Sequence, residues 1–253
     1  MDSATRMFAG SHDERTCPSF FEPIVAHRAV ASLEAFNAKF ASRPFSRAEL
    51  RLFFASMAAF NRHTIGGIAI LAGRLSDEVL PYRPTTGHEI GAYVLDAAVD
   101  EYGLRESTTH VQLARAFAEY LDVPAADVES PDYACRSAVQ LGDALSGWYR
   151  REPVAFSLGV HTASEMTSMK EFMAWHDVFL KFPDYRLSLD LPEFEYMRAH
   201  FTHEPAHLRG SRRCVARYLD VFPANARLLR EGAESYLELY DAMFHELDTM
   251  IFK

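Results

Sequence analysis

Residues 197–213 read Met-Arg-Ala-His-Phe-Thr-His-Glu-Pro-Ala-His-Leu-Arg-Gly-Ser-Arg-Arg. His200, Glu204 and His207 stand at i, i+4 and i+7, so on a helix they share one stripe. Two imidazoles and a carboxylate on one stripe make half of a metal site. Imidazole suits iron, copper and zinc, and a carboxylate favours a harder, oxygen-binding ion. A solvated polar helix face is the plain alternative. The same stretch holds His203-Glu204-Pro205-Ala206-His207, which spells H-E-x-x-H, the zinc-peptidase pattern. Pro205 weighs against that pattern, which needs an unbroken turn. Proline removes a backbone donor and clashes with the preceding turn, at a cost of about 3 kcal/mol. The wider stripe suffers less, because a site built from several helices absorbs a kink. Pro205 is expected to divide the region into helices near 192–203 and 205–220.

Working outward, apolar residues recur at helical spacing almost everywhere. The pattern covers Pro23 to Ser42 and then a helix opened by a Ser46/Glu49 capping box, with Gly66 and Gly67 as its expected bend. Thr86 with Glu89 reads as a second capping box. Further helices are expected at about 109–121, opened by Ser107 or Thr108, then at 132–149, 157–180 and 225–251. Arg186 to Leu191 is the best strand-like piece, and it is short. The reading is an all-α protein of seven to nine helices. One domain spans residues 21–253 behind a polar, mobile tail at 1–20. The missing sheet also counts against a zinc peptidase.

The chain has 253 residues, about half of them apolar, and a formal net charge of -9. That balance argues against a nucleic-acid backbone as partner. The longest apolar run, near Gly66 to Gly73, is far too short to span a bilayer. Cys17, Cys135 and Cys214 are odd in number and widely spaced, which points to a reducing, cytoplasmic setting with no disulfide framework. Arg209, Arg212 and Arg213 form the densest basic group. They are either a solvated face or the charge that meets an anionic substrate.

A metal in a helical bundle draws ligands from several helices. Glu101 lies near the C-terminal end of a helix, where a carboxylate opposes the helix dipole and calls for a compensating cation. Gly103 marks a break, which frees His110 to point inward from the next helix. Glu165 lies in a small, apolar segment where an inward carboxylate is costly without a partner, and His161 stands one turn before it. For each of these, exposure to water is the alternative. Glu238, Asp241 and His245 also share a face, on a densely charged last helix where a solvated role fits better. The ferritin-like pattern needs two Glu-x-x-His pairs, and only Glu204 with His207 qualifies.

The order Asp100-Glu101-x-Gly103, His110, Gly-x-x-x-Ala-x-Glu165, His200-x-x-x-Glu204-x-x-His207 resembles the haem-oxygenase-like di-iron oxidases, the iron-containing redox enzyme family. The resemblance covers roughly residues 47–220. It implies a haem-oxygenase-like helical bundle with Glu101, His110, Glu165, His200, Glu204 and His207 as ligands to two Fe(II) ions, and O2 as co-substrate. It makes Glu101 and Glu165 the catalytic carboxylates, Glu165 as a bridge. There are departures. The family usually has Asp where this chain has Glu204, and its first core helix normally donates a carboxylate. Between Glu49 and Glu78 the helix is apolar, its polar members are Asn61, Arg62 and His63, and no carboxylate stands out; His63 and Glu78 are the remaining candidates for a further ligand. Relatives desaturate, cleave C–C bonds, N-oxygenate or cyclise. The resemblance therefore implies oxidation of a small, aliphatic amino acid in specialised-metabolite or antibiotic biosynthesis, as in the azetidine-forming isoleucine oxidases. A homodimer is the expected assembly. Phe53, Met57, Phe60, Phe172 and Trp175 would wall an apolar pocket. Two other classes stay open: a zinc hydrolase using His203, Glu204 and His207, and a non-enzymatic helical partner protein.

Overall fold

The computed structural model describes residues 18–105 and 108–253. Residues 1–17, most of the expected tail together with Cys17, and Ser107 lie outside the described residues. The chain forms α1 (Pro18–Val25), α2 (Arg28–Phe40), α3 (Arg47–Asn61), α4 (Thr64–Val79), α5 (Pro84–Glu101), α6 (His110–Tyr120), α7 (Ala125–Glu129), α8 (Arg136–Arg151), α9 (Val154–Lys181), α10 (Glu195–Val221) and α11 (Ala226–Phe252). Nine of these run 11 residues or more, within the expected range; the short α1 and α7 are additional. No strand occurs among the described residues, and none of their helices is long and apolar enough to cross a membrane.

Helix α9 is the spine. It buries 18 of its 28 residues and packs against α11, α10, α4, α2 and α8. A helix covered on so many sides carries small and apolar residues all round rather than one apolar stripe. Two glycines let α11 close on it. A β-carbon on Gly159 would lie 1.8 Å from the Leu229 carbonyl oxygen, and one on Gly232 would lie 2.0 Å from that of Phe156. The polar residues that α9 buries, including His161, Glu165 and Glu171, therefore face other helices rather than water.

Local signals set several helix starts. The Ser46/Glu49 capping box forms at α3. The expected box at Thr86/Glu89 does not. Pro84 opens α5 three residues earlier, at the first-turn position that tolerates proline, and Glu89 accepts the Tyr93 hydroxyl instead. At α6 the cap is Thr109, paired with Gln112, rather than Thr108. The break expected at Gly66 and Gly67 falls earlier, at Arg62 and His63. Both glycines are helical, and a β-carbon on Gly67 would sit 2.3 Å from the Tyr149 ring. The strand-like piece, Arg186 to Leu191, is a loop between two prolines. Among the described residues it has no neighbouring strand to satisfy its backbone.

Pro205 does not divide α10, which runs unbroken from Glu195 to Val221. Proline costs the Phe201 carbonyl its donor. Phe201 is itself an exposed residue. The helix continues because packing against α5, α6 and α9 holds it on both sides of the proline.

Candidate metal centre

The end of α5 and the start of α6 form one side of the site. Gly103 takes a left-handed conformation (φ +65°), and Leu104 N–H returns to the Val99 carbonyl at 3.1 Å. A side chain there would collide with the Thr108 carbonyl, so glycine is what permits the reversal. The reversal places Glu101, the last residue of α5, beside His110, the first of α6. The stripe on α10 forms the opposite side, and Glu165 enters from α9.

The six expected ligands come together in two groups of three. In the first, Glu101 Oε1 lies 3.2 Å from His110 Nδ1 and 3.5 Å from His200 Nε2. In the second, Glu165 Oε2 lies 3.9 Å from His207 Nδ1, and Glu204 completes the group. Within each group one ligand atom per residue lies within 4.8 Å of the others. Glu101 is partly exposed and the other five are buried. All six line a single cavity of about 290 Å³.

Partners outside these groups orient the imidazoles. His200 Nδ1 is 2.9 Å from the Tyr196 carbonyl oxygen. A carbonyl only accepts, so Nδ1 holds the proton and Nε2 turns its lone pair toward Glu101. The Phe172 ring stacks on His200 at 3.8 Å and fixes its plane. His207 Nε2 donates to Asp100 Oδ2 at 2.7 Å, which directs Nδ1 at Glu165 and Glu204. Asp100 is 1% exposed. It also meets His203 Nδ1 at 3.1 Å and pairs with Arg105 at 2.6 Å. Asp100, His203 and His207 are close enough to count as a third group of potential ligands. Asp100 already holds three donors, so it serves to aim His207.

The electrostatics call for cations. Burial raises the Glu165 carboxyl; His207 partly relieves this, Glu101 adds to it, and the result is about 7. Burial and then Glu165 push Glu204 well above the ordinary carboxylate range. Two buried carboxylates facing each other cannot both ionise without a positive charge between them. Burial would lower His207, yet Asp100, Glu165 and Glu204 outweigh it and hold the imidazole at about 9. Burial opposes ionisation of Glu101 too, but His110 and His200 overcome it and keep this carboxylate charged. Glu204 Oε1 accepts from Ser168 at 2.8 Å, while its buried Oε2 has no hydrogen-bond partner among the described residues. His161, 3.6 Å from Glu165, is held near 3 by burial and by His207, and so stays neutral.

The donor set fits iron. Glu101, His110 and His200 form a two-histidine, one-carboxylate triad, the arrangement of non-haem Fe(II) sites. The second group, two carboxylates and one imidazole, is harder but of the same kind.

Other expectations fare differently. Phe53, Met57, Phe60, Phe172 and Trp175 do line the cavity. Arg209, Arg212 and Arg213 do not. They follow His207 by two, five and six residues, which turns them about 120–160° away from its stripe. Arg209 and Arg213 are exposed, and Arg212 lies over the Phe21 ring at 5.1 Å. The arginines that do reach the cavity are Arg62 and Arg115. Both are exposed, and both contact Glu129. His63 and Glu78 line no part of the cavity, and Glu78 accepts the Tyr218 hydroxyl at 2.7 Å. No carboxylate enters from α3, whose contribution to the wall is Phe53, Phe54, Met57, Ala58, Phe60 and Asn61. In the last helix Glu238 and His245 are exposed and Asp241 pairs with Arg28, as expected of a solvated face. Two residues went unread in the sequence. Asp100 stands beside Glu101 in the quoted Asp-Glu pair. Glu171 lies two turns beyond Ser164 on the same face of α9.

Compared with curated proteins, the sequence matches none. The sequence model of a family described as iron-containing redox enzymes matches residues 53–241, a span that takes in both groups of the site. Carboxylates and imidazoles from four helices meet on one cavity wall within that span, and the chain belongs to the iron-containing redox enzyme family.

Proposed function

We propose that the protein is a non-haem di-iron oxidase that uses O2 to oxidise a small aliphatic amino acid by desaturation, C–H activation or cyclisation. Glu101, His110 and His200 hold one ion and Glu165, Glu204 and His207 the other. Bound iron supplies the electrons that reduce O2 and the oxidising power that acts on the substrate. The protein's own residues do the rest. Asp100 and the Tyr196 carbonyl keep the two α10 imidazoles aimed. The aromatic wall from α3 and α9 excludes water and holds an apolar chain. A cavity of about 290 Å³ is at the small end of ligand sites, which run from about 300 to 1,000 Å³. A pathway to a specialised metabolite is the setting in which such an enzyme is expected.

The observation that carries this reading is the pair of adjacent three-residue groups on the wall of one apolar cavity. Anaerobic titration with ferrous iron, followed by O2 and candidate amino acids, tests it. Two ferrous ions per chain and substrate-dependent O2 uptake are expected. Iron retention and O2 uptake by the Glu101→Ala, Glu165→Ala double variant would refute it.

A further inference from the structure

We propose that Glu171 is the anchor for a positively charged amino group on the substrate. The inference rests on the proposed function in one respect, that the cavity is the substrate chamber. Glu171 is 3% exposed and lines that cavity, yet it belongs to neither group of ligands. It stands six residues beyond Glu165 on α9, about 9 Å further along the helix axis at 1.5 Å per residue. That offset places it beside the iron site rather than in it.

The carboxylate has one protein partner among the described residues, the Tyr240 hydroxyl, which donates to Oε1. A carboxylate offers about four lone-pair positions, so one phenol leaves most of its capacity open. Burial raises Glu171 to about 7, against the lowering effect of Tyr240. A cation placed in the cavity would hold the group ionised and offset its desolvation. No lysine lines the cavity, and its two arginines, Arg62 and Arg115, are exposed and engaged with Glu129. Among the described residues, the cavity lining thus supplies no buried lysine or arginine for Glu171.

The surroundings match an ammonium group. Trp175, Tyr196 and Tyr236 line the same cavity as Glu171. Aromatic faces around a carboxylate bind an alkylammonium through cation–π attraction and a charge-assisted hydrogen bond. An amine held there leaves the attached aliphatic carbons to run along the apolar wall toward Glu165. The chemical class is therefore an aliphatic primary amine, with or without a carboxylate.

Calorimetric titration of the full chain, metal-free and loaded anaerobically with ferrous iron, tests this with three probes: L-isoleucine, isoamylamine and 4-methylpentanoate. Wild-type protein should bind the two ammonium-bearing probes more tightly than the acid. Glu171→Gln should lose at least tenfold in affinity for both and leave the acid and the iron stoichiometry unchanged. Tyr240→Phe, which frees the carboxylate without removing it, should weaken the ammonium probes a few-fold; this keeps the test open if Glu171→Gln fails to fold. Equal binding of the amines by wild type and Glu171→Gln, no binding of any probe by wild type, or loss of iron on Glu171→Gln would each overturn the proposal. The two readings fail separately. Ammonium binding that depends on Glu171 in a chain that takes up no iron would sink the di-iron assignment alone. Two bound iron ions with amine binding indifferent to Glu171 would sink this inference alone.

Discussion

Replacing Asp100 with asparagine should weaken one iron site and spare the other. Asp100 Oδ2 accepts from His207 Nε2 at 2.7 Å in a setting only 1% exposed to solvent. Asparagine is nearly the same size and its amide oxygen can still accept that proton, so the imidazole keeps its place. What disappears is the negative charge that makes His207 a better donor through Nδ1. Changes to such outer partners typically cost 10–100-fold in metal affinity. That corresponds to about 1.4–2.7 kcal/mol. The loss should fall on the ion held by Glu165, Glu204 and His207. The Glu101, His110 and His200 group has no hydrogen bond to Asp100 among the described contacts, and its own orienting partner is the Tyr196 carbonyl. Anaerobic calorimetric titration with ferrous iron should therefore change from two tight sites to one tight and one weak. Asp100 also pairs with Arg105, so the melting temperature of the metal-free variant must be measured alongside. Equal weakening of both sites, or of neither, would refute the reasoning.

Three further outcomes follow from the same structure. His203→Ala should retain both iron ions and most activity, because His203 hydrogen-bonds Asp100 and belongs to neither group of proposed ligands; loss of metal together with a hydrolytic activity would instead favour the H-E-x-x-H reading. Gly159→Ala and Gly232→Ala should each destabilise the fold by about 1–3 kcal/mol or more in denaturant titrations, since each new methyl meets backbone rather than a movable side chain; an unchanged midpoint would contradict the close α9–α11 contact. Glu49 is drawn down to about 2, chiefly by the Arg43 hydrogen bond, with burial opposing. Its folded value lies below the ordinary glutamate value of 4.5, so its contribution is full above pH 4.5 and fades as pH falls through about 2. Arg43 is 42% exposed, so solvent screening reduces that contribution to about 1 kcal/mol. Glu49→Gln should therefore melt below wild type at pH 7, by a gap that narrows as the pH falls toward about 2, and a gap that stays unchanged over that range would argue against the ion pair.

What the amino-acid order determined by itself was local. The i, i+4, i+7 stripe of His200, Glu204 and His207 needs only the 3.6-residue turn of α10. Glycine at position 103 needs only its tolerance of positive φ to reverse the chain and bring His110 back to Glu101. The all-α class likewise follows from apolar spacing and from the Ser46/Glu49 box, which act over three or four residues. Tertiary structure decided the rest. Asp100 and Glu101 are neighbours of like chemistry, about 100° apart on one helix. Only the packing of α5 against α10 makes one the aim of His207 and turns the other toward His200. Packing also carried α10 through Pro205 and decided which face of that helix meets the cavity. It made Glu171 part of the wall as well. The physical reason is range. Dihedral preferences and capping act within one helical turn, whereas the rotation and offset of one helix against another depend on contacts such as Gly159 against Leu229, between residues far apart in the chain.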